Sequence, residues 1–340
     1  MEVKSYCRID SLMQFIRKKQ LLNRLLIGDG IGRAGKSLLC HVLTGFKRVE
    51  KISYYNCLEF ISLGHYHKKI SNDMAVAILR TELDTHVFDQ MNGRNVNTRP
   101  DDYSSINNYH TPQKYIDRQD IDKTSKVEYH GNPNAGVIEN KIQQEQPIFL
   151  TFAHDLIFKS KPVFEAFEDK VRLIYLNRLP VDLLHEWHVK DFGERIGNDP
   201  TETDYLISIN NKSIPEYAHD WPDEYLSITP LERIIKIIYT CFKRNYLGLE
   251  EHKHDDRVKI IEFEELITTP SAVVDDLSKY LNLDILDCMN NILKENNCPR
   301  ELNNKEYSDR EKYIVNNISG KYKSLLDEMS EIHQKISKLK

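Results

Sequence analysis

Gly30-Ile-Gly-Arg-Ala-Gly-Lys-Ser37 follows the apolar run Leu25-Leu-Ile27 and precedes Leu38-Leu39-Cys40-His41-Val42-Leu43. It fits the pattern G-x-x-x-x-G-K-[ST] at every fixed position, in the setting that gives the pattern physical meaning. A strand ends, a glycine-rich turn follows, and a helix begins. There, successive backbone N–H groups and the positive end of the helix dipole converge on an anion. Gly30, Gly32, Arg33, Ala34, Gly35, Lys36 and Ser37 are therefore read as the phosphate-holding loop of a nucleotide site.

The pattern around the loop is an alternation of strands and helices. Strands are expected at Asn23–Ile27, Lys51–Asn56, Pro147–Phe152, Val171–Leu176 and Val258–Phe263. The run Val171-Arg-Leu-Ile-Tyr-Leu176 is nearly all apolar, as suits a strand buried on both faces. Helices are expected at Lys36–Phe46, at Ser71–Phe88 with Met74, Ala75, Ile78, Leu79, Leu83 and Val87 at helical spacing, and at Tyr322–Leu339. Another begins at Pro230, announced by Thr229-Pro-Leu-Glu232, a capping box with proline in its first turn. Thr269-Pro270 opens one more, to about Leu281.

Residues 92–146 break the pattern, being polar and rich in Asn, Asp, Tyr and Gln. The fold class that follows is α/β, a mainly parallel sheet with helices on both faces, of the P-loop nucleotide-binding type, with a long irregular insertion. The organisation is one domain over 1–340, with the 92–146 insertion read as the acceptor side. Gly93 to Tyr103 packs basic, amide and aromatic groups that suit a polar, anionic or sugar-like acceptor and equally suit a solvated loop.

Composition removes several function classes. The 340 residues carry a net charge of −5, with 40% hydrophobic and 29% charged residues, so no global field draws nucleic acid or anionic lipid. Apolar runs fall far short of the roughly 20 residues of a membrane span. Met1–Gln20 lacks the apolar core of a signal peptide. Six cysteines (Cys7, Cys40, Cys57, Cys241, Cys288 and Cys298) show no C-x-x-C spacing. Reduced thiols, no metal centre and a cytoplasmic location are the expectations. His252-Lys-His254-Asp255-Asp256 reads as a polar turn before the strand at Val258.

A second segment, Tyr175-Leu-Asn-Arg178-Leu-Pro180-Val-Asp182, ends a buried strand in an arginine and starts a helix with proline. Arg178 thus stands at the carboxyl end of the sheet, where open α/β folds bind ligands. A third, Ile260-Ile-Glu-Phe-Glu264-Glu265-Leu266-Ile-Thr-Thr-Pro270, is a strand followed by acidic residues, proline and a helix. In this order, over Leu25 to Leu283, the three segments resemble the sulfotransferases that use 3′-phosphoadenosine 5′-phosphosulfate (PAPS).

The resemblance implies roles. The loop amides and Arg33 would hold the 5′-phosphosulfate, with Ser37 adding a hydroxyl donor, and Arg178 would bind the 3′-phosphate. His154, in Thr151-Phe152-Ala153-His154-Asp155, lies 24 residues before Arg178, where the cytosolic branch carries its catalytic histidine. It would take the proton of an acceptor hydroxyl or amine, in a range that imidazole serves. Glu186 and His188 are reserve bases.

Three positions depart from the family, the first being Phe152, which stands where the family has a lysine two residues before the histidine. Position 186 is glutamate where the family has a phosphate-binding serine, so Arg300 or Arg310 would have to supply the missing donor. Lys36 stands where the family has Thr or Ser. It opens an alternative, an ATP- or GTP-dependent small-molecule kinase or NTPase, with Lys36 on the β/γ-phosphates and Ser37 on Mg²⁺. That reading needs a metal-binding aspartate ending an apolar strand, and Phe149–Asp155 comes closest. The expected partners are a nucleotide and a small-molecule or glycan acceptor.

Overall fold

The computed structural model describes residues 13–125, 135–202 and 204–340. Five parallel strands form its sheet: β1 (Arg24–Asp29), β2 (Val49–Ile52), β3 (Ile148–Phe152), β4 (Val171–Asn177) and, after a separate hairpin of β5 (Leu206–Ile209) and β6 (Lys212–Pro215), β7 (Val258–Glu262). The order is β2-β3-β1-β4-β7, with β1 in the centre. Alternation along each strand covers both faces. Leu25, Ile27, Leu173 and Tyr175 enter one buried cluster; Leu26, Ile174 and Leu176 enter the other. Each such aliphatic side chain, fully buried, contributes roughly 1.5–3 kcal/mol.

The main helices are α1 (Lys36–Leu43), α2 (Cys57–Tyr66), α3 (Asn72–Met91), α4 (Pro112–Ser125), α5 (Ala135–Glu145), α6 (Lys161–Phe167), α7 (Pro180–Val189), α8 (Pro230–Glu251), α9 (Pro270–Leu281), α10 (Asn304–Asn316) and α11 (Gly320–Ser337). The capping box forms as the sequence specifies: Thr229 Oγ1 accepts the Glu232 N–H at 3.3 Å, and the Glu232 carboxylate accepts the Thr229 N–H at 3.1 Å. Cys40, Cys57, Cys241, Cys288 and Cys298 are free thiols, and Cys7 lies outside the described residues. Among the described residues no helix is long and apolar enough to cross a membrane.

The 92–146 insertion is not irregular throughout, because α4 and α5 lie within it. The apolar periodicity that would reveal α4 is missing because a charge anchors it. Arg118, 1% exposed, donates to both carboxylate oxygens of Glu50 on β2, at 2.8 and 3.0 Å, and to Glu145 on α5 at 2.9 Å. The hydroxyl of Tyr115, on the same helix, accepts the Lys51 N–H at 2.8 Å. Burial alone would raise the Glu50 carboxyl; the Arg118 and Lys114 charges outweigh it and bring the group to about 2.

Parallel strands place four connections on one edge: the loop after β1, His154 after β3, Arg178 after β4 and Phe263 after β7. Short helices and turns from the rest of the chain close over that edge.

Candidate functional site

The loop is shaped by two glycines. A Cβ at Gly30, where φ is 143°, would sit 2.7 Å from the Leu176 carbonyl oxygen; at Gly35, where φ is 101°, it would run into the Phe263 ring. Gly35 is also the N-cap of α1, which has no side-chain cap and no acidic residue in its first turn. The first N–H groups of the helix are thus left for an anion. Arg33 holds a left-handed φ of 70°, a conformation worth about 1–2 kcal/mol of strain for a residue with a Cβ.

Lys36 is buried under the loop, its Nζ donating to the carbonyls of Gly30 at 2.8 Å and Ile31 at 2.7 Å. Burial lowers its pKa against the opposing charges of Asp155, Asp29 and Glu59. Asp29 in turn accepts the N–H groups of Leu156 and Ile157 at 3.0 and 2.7 Å, tying the turn after β3 to the end of β1. Burial pushes its carboxyl up to about 6. Lys36 therefore clamps the loop from below.

Two cavities open at this edge. One, of about 420 Å³, is lined by Gly35, Lys36, Ser37, Arg178, Glu186 and Arg300 among others. The other, of about 180 Å³, reaches away toward Phe60, Asp204 and Tyr217. Arg33 and His154 line both, so they stand at the junction.

The loop-side cavity gathers cations. Arg178 donates to the Arg33 carbonyl at 2.6 Å and lies over the Phe263 ring at 4.4 Å; Arg300 reaches the same ring at 6.0 Å. The Arg178 Nε is buried without a hydrogen-bond partner, and burial lowers the group's pKa. Both features suit an anion arriving there. Arg300 is thus brought to the cavity as the departure at position 186 requires. Arg310 is not: it pairs with Asp182 at 2.7 Å and Glu306 at 3.2 Å. Glu186 lines the cavity and pairs with Arg33 at 3.1 Å. Burial would raise its carboxyl, but the Arg33 hydrogen bond and the Arg178 and Arg33 charges hold it below the usual range.

At the junction, Glu59 Oε1 accepts both the backbone N–H of His154 at 3.0 Å and a contact from its Nδ1 at 3.1 Å. A carboxylate only accepts, so Nδ1 carries a hydrogen, and in the neutral form of the ring Nε2 is the nitrogen that holds the lone pair. Burial would raise the Glu59 carboxyl, but the charges of His154, Lys159 and Lys36 outweigh it and lower its pKa. The neighbour Asp155 lies with His154 in the turn beyond the end of β3, at a left-handed φ of 49°. It is buried and accepts from Asn245 Nδ2 at 2.5 Å. His188 stands apart, its Nε2 3.0 Å from the Tyr313 hydroxyl and outside both cavity walls.

Glu59 is the site residue that the sequence reading missed. Its helix, Cys57-Leu58-Glu59-Phe60-Ile61-Ser62-Leu63, is apolar on almost every side, so no stripe marks it. The insertion contributes Tyr103 to the loop-side cavity, whereas the walls of the other cavity come from segments outside 92–146.

None of the family models matches this chain, and neither does any curated protein. Among solved structures it is similar to the sulfotransferase domain of the Synechococcus PCC 7002 olefin synthase, at 14% identity and a TM-score of 0.42 over 96% of this chain and 97% of that one. It is also similar to the sulfotransferase domain from the curacin biosynthetic pathway, at 12% identity and a TM-score of 0.41 over 78% of this chain and 76% of that one. A third likeness is to retinol dehydratase in complex with androsterone and inactive cofactor PAP, at 12% identity and a TM-score of 0.31 over 94% and 81% of the two chains.

Proposed function

We propose that this chain is a PAPS-dependent sulfotransferase, a single catalytic domain that moves a sulfuryl group to a hydroxyl or amine acceptor. The observation that carries the reading is the junction: a cationic loop-side cavity and a second cavity share Arg33 and His154 and little else. In-line transfer between two bound molecules needs this arrangement, because the reacting atoms must meet where the two pockets do.

The residues present fit the nucleotide. The uncapped first turn of α1, Arg33 and the Ser37 hydroxyl face one phosphate, and Arg178 with Arg300 offers cations for a second. The insertion, expected on the acceptor side, serves the nucleotide side through Tyr103. His154 Nε2 takes the acceptor's proton as its oxygen or nitrogen bonds to sulfur and the sulfur–phosphate oxygen bond breaks. Arg33 neutralises the charge that develops on the leaving phosphate oxygen. Like phosphoryl transfer, the reaction asks for positioning and charge more than covalent help.

The kinase alternative keeps the Lys36-Ser37 pair in its favour. Against it, Asp155, which would have to hold the metal, lines the other cavity and is bonded to Asn245. A thermal-shift comparison separates the readings. Adenosine 3′,5′-bisphosphate should stabilise the chain without Mg²⁺, by about 2.7 kcal/mol at 100 times its Kd. Stabilisation by ATP–Mg²⁺ alone would overturn the sulfotransferase reading.

A further inference from the structure

Carboxylates outnumber cations on the wall of the second cavity, where Arg33 and Lys159 also stand. Five carboxylates line it: Glu59, Asp155, Glu202, Asp204 and Glu216. Four are already answered. Glu59 holds His154, and Asp155 is bonded to Asn245 in the field of Lys36. Glu202 pairs with Arg195, and Glu216 pairs with Arg244 at 2.9 Å and His67 at 2.7 Å. Asp204 differs. It accepts from the neutral Tyr217 hydroxyl, 3.2 Å away, and among the described residues no cation forms an ion pair with it.

The fold holds Asp204 in place. It precedes β5, and Tyr217 follows β6, so the hairpin brings the two together; the Glu216 N–H donates to the Tyr205 carbonyl at 2.9 Å to close the base. Burial pushes the Asp204 carboxyl above its ordinary range, against the Tyr217 hydrogen bond and the field of His154.

Aromatic rings make up much of the remaining wall. Phe60 and Tyr205 meet edge to face with centroids 5.0 Å apart, and Trp187 and Phe192 do the same at 5.0 Å. Tyr217 adds a fifth ring. Ring faces attract cations and stack on flat apolar bodies, the more strongly where water is excluded.

We propose that this cavity recognises acceptors bearing a protonated amine on an aromatic or apolar body, with Asp204 as the counter-ion for the ammonium. The acceptor's reacting hydroxyl is then left toward His154 and Arg33 at the junction. The inference rests on the sulfotransferase reading, which names this cavity as the acceptor side.

Tyramine and tyrosol test it. Both carry the same phenol, and they differ in ending with an ammonium or a hydroxyl group. Calorimetry on the full chain, saturated with adenosine 3′,5′-bisphosphate, should show tyramine binding at least tenfold more tightly. In Asp204→Asn, which keeps an oxygen for Tyr217, that preference should collapse to within about twofold while the nucleotide still binds. Equal binding of the two probes, no binding of either, or a preference that survives Asp204→Asn would overturn the proposal. Wild-type chain that fails to bind the nucleotide marks failure of the underlying reading instead.

Discussion

Glu59 and His154, 95 residues apart in sequence, are locked together at two points, the His154 backbone N–H and its ring Nδ1 both meeting Glu59 Oε1. One oxygen fixes the main chain and the ring together, so the imidazole has little freedom to rotate. The Nε2 that remains belongs to a side chain 42% exposed, at the meeting point of the two cavities. A base needs that combination of a fixed tautomer and an open lone pair.

His154→Ala should therefore lower kcat by about 10²–10⁴-fold while nucleotide affinity stays nearly intact. Glu59→Ala should cost about 10–100-fold in kcat by freeing the ring, and Glu59→Gln less, since its carbonyl still accepts the Nδ1 hydrogen. Steady-state kinetics with nucleotide binding measured separately decides the matter. A His154→Ala chain that keeps most of its activity would remove the residue from the mechanism.

The arginines divide cleanly. Arg178→Ala or Arg300→Ala should weaken binding of adenosine 3′,5′-bisphosphate by about 1.5–3 kcal/mol and barely affect adenosine 5′-phosphate. Arg310→Ala should affect neither, because its guanidinium is spent on Asp182 and Glu306. Calorimetric titration of the three variants with both nucleotides checks this. Equal losses for the two nucleotides would make Arg178 a support of the loop through the Arg33 carbonyl.

Much of this edge was legible in the sequence, and the reasons are local. The loop, Arg178 and the capping box at Thr229 each announce themselves within eight residues, because glycine, proline and cap chemistry act over that range. Glu59, Asp204 and the Arg118–Glu50 anchor were not legible. Their partners lie 95, 13 and 68 residues away, and nothing in their own neighbourhoods distinguishes them from surface charges. The insertion was misjudged for the same reason: α4 is held by a buried ion pair, which leaves no apolar stripe to read. Glu186 was read as the loss of a phosphate-binding serine, without the Arg33 partner that the fold supplies.

That partner makes Glu186 a brake on the loop. Arg33 and Glu186 are 45% and 32% exposed, so their pair is worth about 0.2–1 kcal/mol. Glu186→Gln releases Arg33 and removes a negative charge from the phosphate side. Nucleotide affinity should rise by up to roughly fivefold, more at low ionic strength. A loss of affinity in this variant, measured at two salt concentrations, would show that Glu186 helps to hold the nucleotide.

The anchor of α4 gives the last prediction, and it concerns stability rather than turnover. The Glu50 carboxyl falls from an ordinary 4.5 to about 2 in the folded chain, where the Arg118 and Lys114 charges overcome its burial. A depressed folded pKa means that the unfolded chain binds the proton first on acidification. The stabilisation is present above about 4.5 and is lost as pH falls toward 2, at no more than about 1.4 kcal/mol per pH unit. Glu50→Gln, which strands the buried Arg118 with only Glu145 for a counter-charge, should cost about 3 kcal/mol at pH 7. Urea unfolding of both chains between pH 7 and pH 2.5 isolates the group, since the remaining carboxylates act in both. Their difference should shrink steadily below pH 4.5. A gap that keeps its size down to pH 2.5 would mean that α4 is held by packing and not by this charge.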